Sequence, residues 1–416
     1  MRPTRKRDKI NMEQALAGVK VLDLTQMLAG PMCTKYLADF GADVIKIERP
    51  PDGDPARMLA PFYNDEQHPE KSGLFLYLNA NKRGVTLNLK SEMGKKLFME
   101  MVRDVDIVVE NFKPGVMERL GLDYETLAKV NPRLVMTRIS NFGQTGPYRD
   151  FEMSELTLDA MGHSLYNTGI SNRGPMKQGG NCLLYQGGQV AALATMGALL
   201  LSEGDDLGQM IDFSLYEQTS GTCNFRNLYV LGFFYTGNVS YRGHTPALSI
   251  NLLPGGIWPC KDDGYVHFWL ANPGANAPAL ARALGEPELF KDPRFANYMD
   301  ATHKGDMDAI IYNWLFQHDK WEVVQKCQEQ HLPVAPVLTP GEAVDAEQFK
   351  AREFWVDIDH PETGTVKTPG APWKMMDTPW QVRMPAPMLG QHNEEVFTEL
   401  GYSTQEVARL HQRGII

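Results

Sequence analysis

A strand–helix–strand pattern near the start of the chain constrains the fold more than any other feature. Residues 18–24 form a short apolar run typical of a buried strand, residues 34–40 have helical spacing, and residues 42–47 form a second apolar run. Gly41 suits the end of the helix, because glycine readily takes the left-handed conformation there. Two strands joined by a helix in so short a segment run parallel in one sheet. The pattern therefore predicts a βαβ unit.

The same alternation continues beyond this unit and predicts a doubly wound α/β domain. No G-x-G-x-x-G fingerprint follows the first strand, which disfavours a nicotinamide-dependent dehydrogenase. Further strands are predicted at residues 85–89, 106–110, 134–140 and 210–214, and helices at residues 91–102 and 187–203.

The composition changes in the middle of the chain, which indicates a second domain. From about residue 232 to residue 338, prolines, glycines and aromatic residues become more frequent, and the tail then returns to helical patterns. The length of the chain also suggests about two domains. The predicted division is a disordered leader at 1–12, a large domain from 13–225 and 341–416, and a small α+β domain at 226–340.

Charge and cysteine content argue against several classes of function. The net charge of −10 opposes general nucleic-acid binding. The most apolar stretch, residues 187–201, is shorter than the ~18 residues of a membrane-spanning helix, so we interpret it as a buried core helix. The cysteines form no C-x-x-C pair and no export signal precedes them, which predicts reduced thiols, no metal site and a cytoplasmic location. The cysteines are Cys33, Cys182, Cys223, Cys260 and Cys327.

Basic residues lie near the predicted strand ends and in loops. In open α/β sheets, ligands bind beyond the carboxyl ends of the strands, and arginine and lysine there suit phosphate groups. The alternative is that these side chains are solvated or form salt bridges with the many acidic residues. They are Arg49, Arg57, Lys82, Arg83, Lys113 and Arg119.

Two carboxylates lie four residues apart in a short predicted helix. Glu155 and Asp159 would share one helix face. Ser154 would cap the first turn, with Thr157 at the position that glutamate takes in a full capping box. Such a carboxylate pair could carry acid–base or nucleophilic chemistry. The alternative is an acidic first turn that interacts with the helix dipole, worth about 0.3–1 kcal/mol.

Glycine-rich segments predict turns. Glycine takes positive φ readily and lets the backbone approach a ligand closely. A lone glycine pair usually marks a turn rather than a binding site. The segments are residues 143–148, 179–180, 187–188 and 255–256.

Ordered motifs along nearly the whole chain carry a family resemblance. They are residues 18–25 (GVKVLDLT), 29–31 (AGP), 41–50 (GADVIKIERP), 53–54 (GD), 81–83 (NKR), 110–115 (ENFKPG), 131–133 (NPR), 143–148 (GQTGPY) and 385–392 (PAPMLGQH). Taken together, from about residue 16 onward, they resemble family III CoA-transferases of the formyl-CoA-transferase type. This group also includes α-methylacyl-CoA racemases.

The resemblance implies a fold and an assembly. It implies a Rossmann-like large domain built from both chain ends and a smaller middle domain. It also implies that two chains interlock as an obligate dimer, either of identical chains or with a paralogous subunit. Coenzyme A would be a substrate, exchanged between an acyl-CoA and a carboxylic acid, and no tightly bound cofactor is expected.

The resemblance also implies binding roles for particular residues. Residues 26–31, with Leu28 and Ala29, would lie near the thioester, and residues 255–256 loosely match a mobile glycine-rich loop. The basic residues implied to face the nucleotide and phosphates of coenzyme A are Arg49, Lys82, Arg83 and Arg119.

The expected catalytic position departs from the family pattern. In transferases of this family an aspartate follows the Gly-Pro-Tyr turn and attacks the donor thioester. Counting back from residues 167–169 places Glu155 at that position, and Asp159 replaces a glutamine often found four residues later. The extra methylene of glutamate displaces the carboxylate, and small misplacements can cost ~10²-fold in rate. A second negative charge nearby would also raise the pKa of one of the two carboxylates.

Two hypotheses about function follow, with two weaker alternatives. Glu155 is either a working nucleophile, or this chain is the non-catalytic subunit of a heteromeric transferase of the succinyl-CoA:benzylsuccinate type. A racemase is disfavoured because the turn after Asn141 has no histidine and because Glu155 replaces aspartate. A scaffold that binds a partner chain without coenzyme A is the non-enzymatic alternative.

Overall fold

A computed structural model provides the structure of the chain. The predicted leader and Cys223 lie outside the described residues. The structure describes residues 14–169, 173–205, 207–221, 226–239 and 252–416.

The chain divides into two compact units. The first comprises Met1–Ser164, Gln178–Phe234 and Ala351–Ile416, and the second comprises Leu165–Lys177 and Tyr235–Lys350. Both ends of the chain thus contribute to the first unit. The domain boundaries near residues 226 and 340 remain a prediction.

Strands and helices alternate along the chain, as the sequence predicts. The strands are β1 (Lys20–Asp23), β2 (Asp43–Glu48), β3 (Lys82–Thr86), β4 (Ile107–Glu110), β5 (Val135–Ser140), β6 (Gln209–Ser214), β7 (Gly255–Pro259), β8 (Tyr265–Trp269), β9 (Val334–Val337), β10 (Trp355–His360) and β11 (Gly364–Pro369). The α-helices are α1 (Ala29–Asp39), α2 (Gly73–Asn79), α3 (Glu92–Val102), α4 (Val116–Leu120), α5 (Tyr124–Val130), α6 (Glu155–Met161), α7 (Cys182–Asp205), α8 (Leu215–Gly221), α9 (Arg226–Thr236), α10 (Pro273–Ala283), α11 (Lys304–Leu315), α12 (Lys320–Gln328), α13 (Pro340–Asp345), α14 (Glu347–Ala351), α15 (Asn393–Glu399) and α16 (Thr404–Gln412). Short 3₁₀ turns occur at Pro55–Met58, Tyr63–Asp65, Leu289–Lys291 and Ala301–His303.

A six-stranded sheet forms the centre of the first unit. Its strand order is β3-β2-β1-β4-β5-β6, and every neighbouring pair is parallel. Successive residues of β1 point to opposite faces, so Leu22 packs with the layer that includes α3, α15 and α16, and Val21 packs against α1 and α7. The prediction of an α/β fold with a parallel sheet is confirmed.

A small antiparallel sheet organises the second unit. Its order is β7-β8-β9, and Phe268 of β8 and Ile311 of α11 lie in its core. Gly255 and Gly256 begin β7. The prediction of a turn at these glycines is therefore wrong, and the loose match to a mobile glycine-rich loop stays a prediction.

Three elements begin several residues before the predicted start. Helix α1 begins at Ala29 rather than Thr34, so Pro31 lies in its first turn, where a missing N–H costs nothing. Strand β3 begins at Lys82 rather than Val85. Helix α7 begins at Cys182. The first two differences extend a regular element over charged or small residues that the apolar pattern does not mark, whereas the extension of α7 covers Leu183, Leu184 and Tyr185.

The glycines at 187 and 188 lie inside α7 and not in a turn. A Cβ atom at Gly188 would lie 2.5 Å from the Ala29 carbonyl oxygen and 2.6 Å from Met32 Cβ. Helices α1 and α7 can therefore approach closely at this point only because residue 188 has no side chain. The glycine pair serves helix packing.

The variant Gly188→Ala is expected to lower the free energy of unfolding by about 2–3 kcal/mol, because the new methyl group overpacks a backbone contact. The variant Gly197→Ala in the same helix is the control. A Cβ at Gly197 meets nothing within 4 Å, so this change should raise stability by about 0.5–1 kcal/mol. Urea unfolding of both purified variants measures the difference, and equal effects would contradict the packing role.

The apolar helix α7 is only partly buried. By length and composition alone, Cys182–Gly204 could cross a membrane, and 44% of its most apolar window is buried in the protein. Its other side exposes large side chains such as Leu193 and Leu200. The prediction of a core helix therefore describes only the side that faces α1 and the sheet.

Candidate functional site

The strand order creates a crevice at the carboxyl edge of the large sheet. From β1 the chain continues to β2 and β3 on one side, whereas β4 leads to β5 and β6 on the other. Strands β1 and β4 are neighbours, so the connections leaving their carboxyl ends diverge. We call this place, between β1 and β4 at the carboxyl edge, the switch point, and ligands of open α/β sheets bind at such a position. The loop after β1, residues 24–28, lies at this position.

Asn111, which directly follows β4, pairs with the backbone of this loop. Its Oδ1 accepts a hydrogen bond from the Gln26 N–H at 2.8 Å, and its Nδ2 donates to the Gln26 carbonyl at 2.8 Å. Glu110 Oε2 accepts from the Phe112 N–H at 2.7 Å and so orients the turn that carries Asn111. Asn111 thus links the segment after β4 to the loop after β1.

Two further buried side chains hold the same loop. Asp54 Oδ1 accepts from the Met27 N–H at 3.0 Å, and Lys46 Nζ donates to the Thr25 carbonyl at 2.9 Å. Lys46 and Asp54 pair with each other at 2.9 Å, both with fully buried side chains. Met27 has a φ of 68°, a conformation that costs a non-glycine residue of order 1–3 kcal/mol. These contacts stabilise a strained loop.

A second buried ion pair lies beneath the loop. Lys82 Nζ contacts Asp23 Oδ2 at 3.0 Å, and its other acceptors are the Pro31 carbonyl, Thr34 Oγ1 and Asn79 Oδ1 at 2.8–3.1 Å. Burial opposes the charge of Asp23, but Lys82 and Lys46 hold its pKa below the ordinary value. Desolvation lowers the pKa of Lys82 to about 8, although Asp23 favours its charge. Both groups are therefore ionised near neutral pH.

This geometry does not fit the phosphate contact expected of Lys82. The ammonium is fully buried and surrounded by acceptors of its own chain. The residue also begins β3, at the amino end of the strand, whereas the ligand edge is the carboxyl end. Lys82 instead fixes the end of β1 against the start of α1.

Arg83 and Arg57 are also engaged by carboxylates. Arg83 bonds to Asp43, Glu395 and Glu399 near the amino edge of the sheet. Arg57 has no exposed surface, contacts Glu48 and Glu70, and lies 3.7 Å from the centre of the Phe75 ring. For these two residues the salt-bridge alternative describes the structure. The phosphate contact expected of Arg83 therefore does not fit this geometry.

A cavity of about 300 Å³ opens beside the switch-point loop. The ends of β4 and β5 and the start of α1 contribute to its wall. Its lining residues are Ala29, Asn111, Phe112, Lys113, Pro114, Arg119, Ile139, Ser140, Asn141, Arg149, Asp150, Phe151, Glu152 and Leu215. Two of the residues predicted to bind coenzyme A, Ala29 and Arg119, thus lie in this cavity.

Three basic side chains line the cavity, and nearby carboxylates neutralise them to different degrees. Lys113 pairs with Glu152, and Arg149 lies 3.8 Å from Asp150. Arg119 is exposed and forms no ion pair within the described part of the chain. The Ser140 hydroxyl is buried and has no hydrogen-bond partner among the described residues. Arg119 and Ser140 are therefore the groups most available to an anionic ligand.

The remaining predicted binding residues lie near the same edge. Leu28 is buried and precedes the first turn of α1. Arg49 follows the carboxyl end of β2, is exposed and pairs with Asp52 at 3.1 Å. A second cavity of about 740 Å³ next to it includes Pro50 and Pro51 in its wall. Arg49 therefore lies near the carboxyl edge of the sheet, where the sequence pattern predicts it.

Glu155 begins α6, as predicted. The Ser154 and Thr157 side chains form the capping box reciprocally, so the expected cap is present. Glu155 is half-buried, and its Oε1 accepts a hydrogen bond from the Leu183 N–H at 3.0 Å. Asp159 is buried one turn later. The carboxylate of Glu155 therefore lies at the amino end of α7, where the helix dipole favours negative charge.

Three of the cysteines that the structure describes, Cys33, Cys260 and Cys327, are buried. No group of three potential ligands forms a metal site within the described residues. Burial raises the pKa of the Cys33 and Cys327 thiols to about 12, which keeps them protonated. For Cys33 and Cys327 the expectation of unreactive thiols agrees with this burial, and for Cys223, outside the described residues, it stays a prediction.

The sequence reasoning missed several residues that shape the site. Asn111, Lys46, Asp54 and Ser140 were not singled out for their side chains. For Asn111 and Ser140 the signal is positional, because polar residues at the carboxyl end of a predicted parallel strand, or directly after it, face the ligand edge. Lys46 lies inside β2 and Asp54 in the loop that follows it, so this signal does not mark them. Ser140 ends β5 and Asn111 follows β4.

Comparisons with known proteins cover nearly the whole chain. The model of CoA-transferase family III matches residues 16–393. Succinyl-CoA–D-citramalate CoA-transferase of Chloroflexus aurantiacus is 33% identical over 96% of this chain and 98% of its own. Formyl-CoA:oxalate CoA-transferase of Streptomyces coelicolor is 32% identical over 97% and 99%. The beta subunit of succinyl-CoA–L-malate CoA-transferase of C. aurantiacus is 32% identical over 96% and 98%.

The fold has a close solved counterpart. A CAIB/BAIF family protein from Brucella suis superposes with a TM-score of 0.82, at 29% identity, over 93% of this chain and 99% of its own. The similarity therefore extends over both units of the chain and not over one segment alone.

Proposed function

We propose, because the chain belongs to CoA-transferase family III, that it takes part in moving coenzyme A from an acyl-CoA donor to a carboxylic acid. The observation that carries this proposal is the cavity at the switch point. It combines Arg119, without an ion-pair partner in the described chain, with the start of α1 at Ala29. In this proposal the Arg119 guanidinium pairs with the phosphates of coenzyme A. The loop that directly precedes Ala29 contacts the thioester end.

The proposed reaction uses a carboxylate of the enzyme as nucleophile, and Glu155 is the candidate. Its oxygen attacks the acyl carbonyl, the C–S bond breaks, and an acyl–glutamyl anhydride and coenzyme A thiolate result. The thiolate attacks the glutamyl carbonyl and releases the donor acid, which leaves a glutamyl thioester. The acceptor carboxylate attacks this thioester, the C–S bond breaks, and a glutamyl–acceptor anhydride and coenzyme A thiolate form. The thiolate then attacks the acceptor's acyl carbonyl, the anhydride C–O bond breaks, and the acceptor acyl-CoA and the carboxylate of Glu155 are released.

Coenzyme A contacts are proposed for Arg49, Arg119, Leu28 and Ala29, all near the carboxyl edge of the sheet. Arg49 directly precedes Pro50, which lines the larger cavity, and this cavity leaves room for the nucleotide end. We assign Lys82 a supporting role beneath the loop and no contact with the phosphates.

A second candidate function is that of a supporting subunit in a heteromeric transferase. The observation that favours it is the hydrogen bond from the Leu183 N–H to Glu155, because a carboxylate held by a helix terminus is a weaker nucleophile. One relative of similar identity is named as a beta subunit. In that case the reacting carboxylate belongs to a paralogous chain.

We also propose that two chains interlock as a dimer in the cytoplasm, either homomeric or with a paralogue. The support is the apolar surface that α7 and α9 leave exposed on the single chain. It includes Leu193, Leu200, Leu228, Phe233 and Phe234. Large exposed apolar patches usually mark an interface.

Trapping of the acyl–enzyme tests the two candidate functions. The purified chain, alone and with a co-expressed paralogue, is incubated with succinyl-CoA, formyl-CoA and other acyl-CoA donors, followed by hydroxylamine or borohydride. We expect peptide mass spectrometry to find the modification on Glu155 of the lone chain. A lone chain without modification, together with a labelled carboxylate on the partner, would contradict the first candidate and support the second.

Replacement of Arg119 by alanine is expected to raise the KM for acyl-CoA by about 10-fold or more, since a charge-assisted hydrogen bond contributes ~1.5–3 kcal/mol. Steady-state kinetics at two salt concentrations measures this, with Arg103→Ala as control. Arg103 is an exposed arginine at the end of α3, outside the lining of the 300 Å³ cavity. An equal KM for the two variants would exclude the proposed phosphate contact.

A further inference from the structure

The loop after β1 is held by side chains from several elements. The Thr25 N–H donates to Asp23 and its carbonyl accepts from Lys46. Both backbone groups of Gln26 pair with Asn111, and the Met27 N–H donates to Asp54. Such a loop has little freedom, although Met27 has an unfavourable positive φ.

Asp54 connects this loop to the rest of the buried network. One carboxylate oxygen, Oδ1, accepts from the Met27 N–H at 3.0 Å and from the Ala56 N–H at 2.9 Å. The other oxygen pairs with Lys46 at 2.9 Å. The Asp54 N–H in turn donates to Glu48 Oε2 at 2.8 Å. Because Asp54 is buried and Lys46 compensates its charge, the acceptor is held at a fixed point.

We infer that Asp54 is a positioning residue of the transfer reaction, which holds Met27 in its left-handed conformation and thereby aligns Leu28 and Ala29 with the thioester. This inference rests on the proposed function. Leu28 and Ala29 directly follow Met27, as the N-cap and the first residue of α1, so a rotation at Met27 displaces them. Asp54 touches no substrate in this role, since it acts only through the loop backbone.

If Asp54 positions the loop, its loss should change kcat more than KM. Binding of the nucleotide end of coenzyme A does not depend on this loop, whereas the thioester carbonyl must meet its nucleophile within a few tenths of an ångström. Displacements of about 1 Å can cost ~10²-fold in rate. A loose loop should therefore slow the chemical step more than it weakens binding.

The test compares Asp54→Ala, Asp54→Asn and Glu70→Gln in the full-length, assembled enzyme. Asparagine retains an oxygen that can accept from the Met27 N–H, and alanine does not. Glu70 is the matched control, because its carboxylate belongs to the same charged cluster but pairs with Arg57 and accepts from the Leu389 N–H rather than from residues 25–29. The measurements are kcat and KM with succinyl-CoA, and hydrogen–deuterium exchange of a peptide covering residues 24–32.

The expected result is a kcat about 10²-fold lower for Asp54→Ala with KM changed less than about 3-fold. Asp54→Asn should recover part of kcat, Glu70→Gln should keep it, and faster exchange should occur at residues 26–28 in Asp54→Ala. Equal kcat losses in Asp54→Ala and Glu70→Gln, or unchanged exchange of the loop, would overturn the inference. A wild-type enzyme that transfers no coenzyme A would overturn the proposed function instead, and the exchange data would still decide whether Asp54 orders the loop.

Discussion

The variant Glu155→Gln is expected to lower kcat for CoA transfer by at least about 10³-fold without unfolding the protein. The amide has no nucleophilic oxygen for the anhydride step. Its carbonyl oxygen can still accept the hydrogen bond from the Leu183 N–H that Glu155 Oε1 accepts. The start of α7 should therefore keep its contact, and the loss should appear in kcat rather than in the melting temperature.

Two companion variants make this result specific. Glu155→Asp keeps the carboxylate but retracts it by one methylene, so an intermediate loss of about 10²-fold is expected. Glu125→Gln removes an exposed acid from the first turn of another capped helix, α5, and should leave kcat unchanged. Full activity of Glu155→Gln in an assembled heteromer would identify this chain as the supporting subunit.

The variant Lys82→Met is expected to lower the free energy of unfolding by about 3–5 kcal/mol, because removal of one partner leaves a buried charge without its ion-pair partner. The charge left behind is Asp23, whose side chain has no exposed surface and would keep hydroxyl and backbone donors and the more distant charge of Lys46. Urea unfolding near neutral pH measures the change. Lys95→Met, which breaks an exposed pair with Glu92, should cost no more than about 1 kcal/mol.

A double variant and a pH series test the electrostatic origin of this loss. Lys82→Met with Asp23→Asn should recover part of the stability, because neither buried charge of the pair remains. In the wild type the pKa of Asp23 is lowered, so its stabilising contribution is present at neutral pH and is lost as the pH falls below about 4. In Lys82→Met the same pKa should be raised, so the variant gains stability as the pH falls. A gap between wild type and variant that is independent of pH would contradict this origin.

The sequence predicted those elements whose signals are local. The apolar runs around β1, β2, β4 and β5 and the helical spacing of α3 and α16 each lie within a few consecutive residues. The same holds for the cap of α6, in which Ser154 and Thr157 are three residues apart. Periodicity and capping depend on neighbouring residues alone, so these features need no knowledge of the rest of the chain.

The predicted site was harder to derive, because exposure depends on partners far away in sequence. A lysine and an arginine at the start of β3 indicated a phosphate site. In the structure, however, Lys82 is buried and forms an ion pair with Asp23, and Arg83 forms an ion pair with Glu399. Arg119 and Arg49 have the same residue chemistry and lie at the carboxyl edge. Which basic residue meets a ligand is decided by strand direction and by the carboxylates that the fold brings near.

The sequence by itself determined the α/β class, the parallel sheet and the family, because strand length, helix spacing and ordered motifs are properties of short segments. The tertiary structure decided which charges are buried and which loop is rigid. Lys82 meets Asp23 across 59 positions, and Asn111 meets Gln26 across 85. The physical reason is that hydrogen bonds and ion pairs act over a few ångströms, so only the packed sheet brings these side chains within reach of one another.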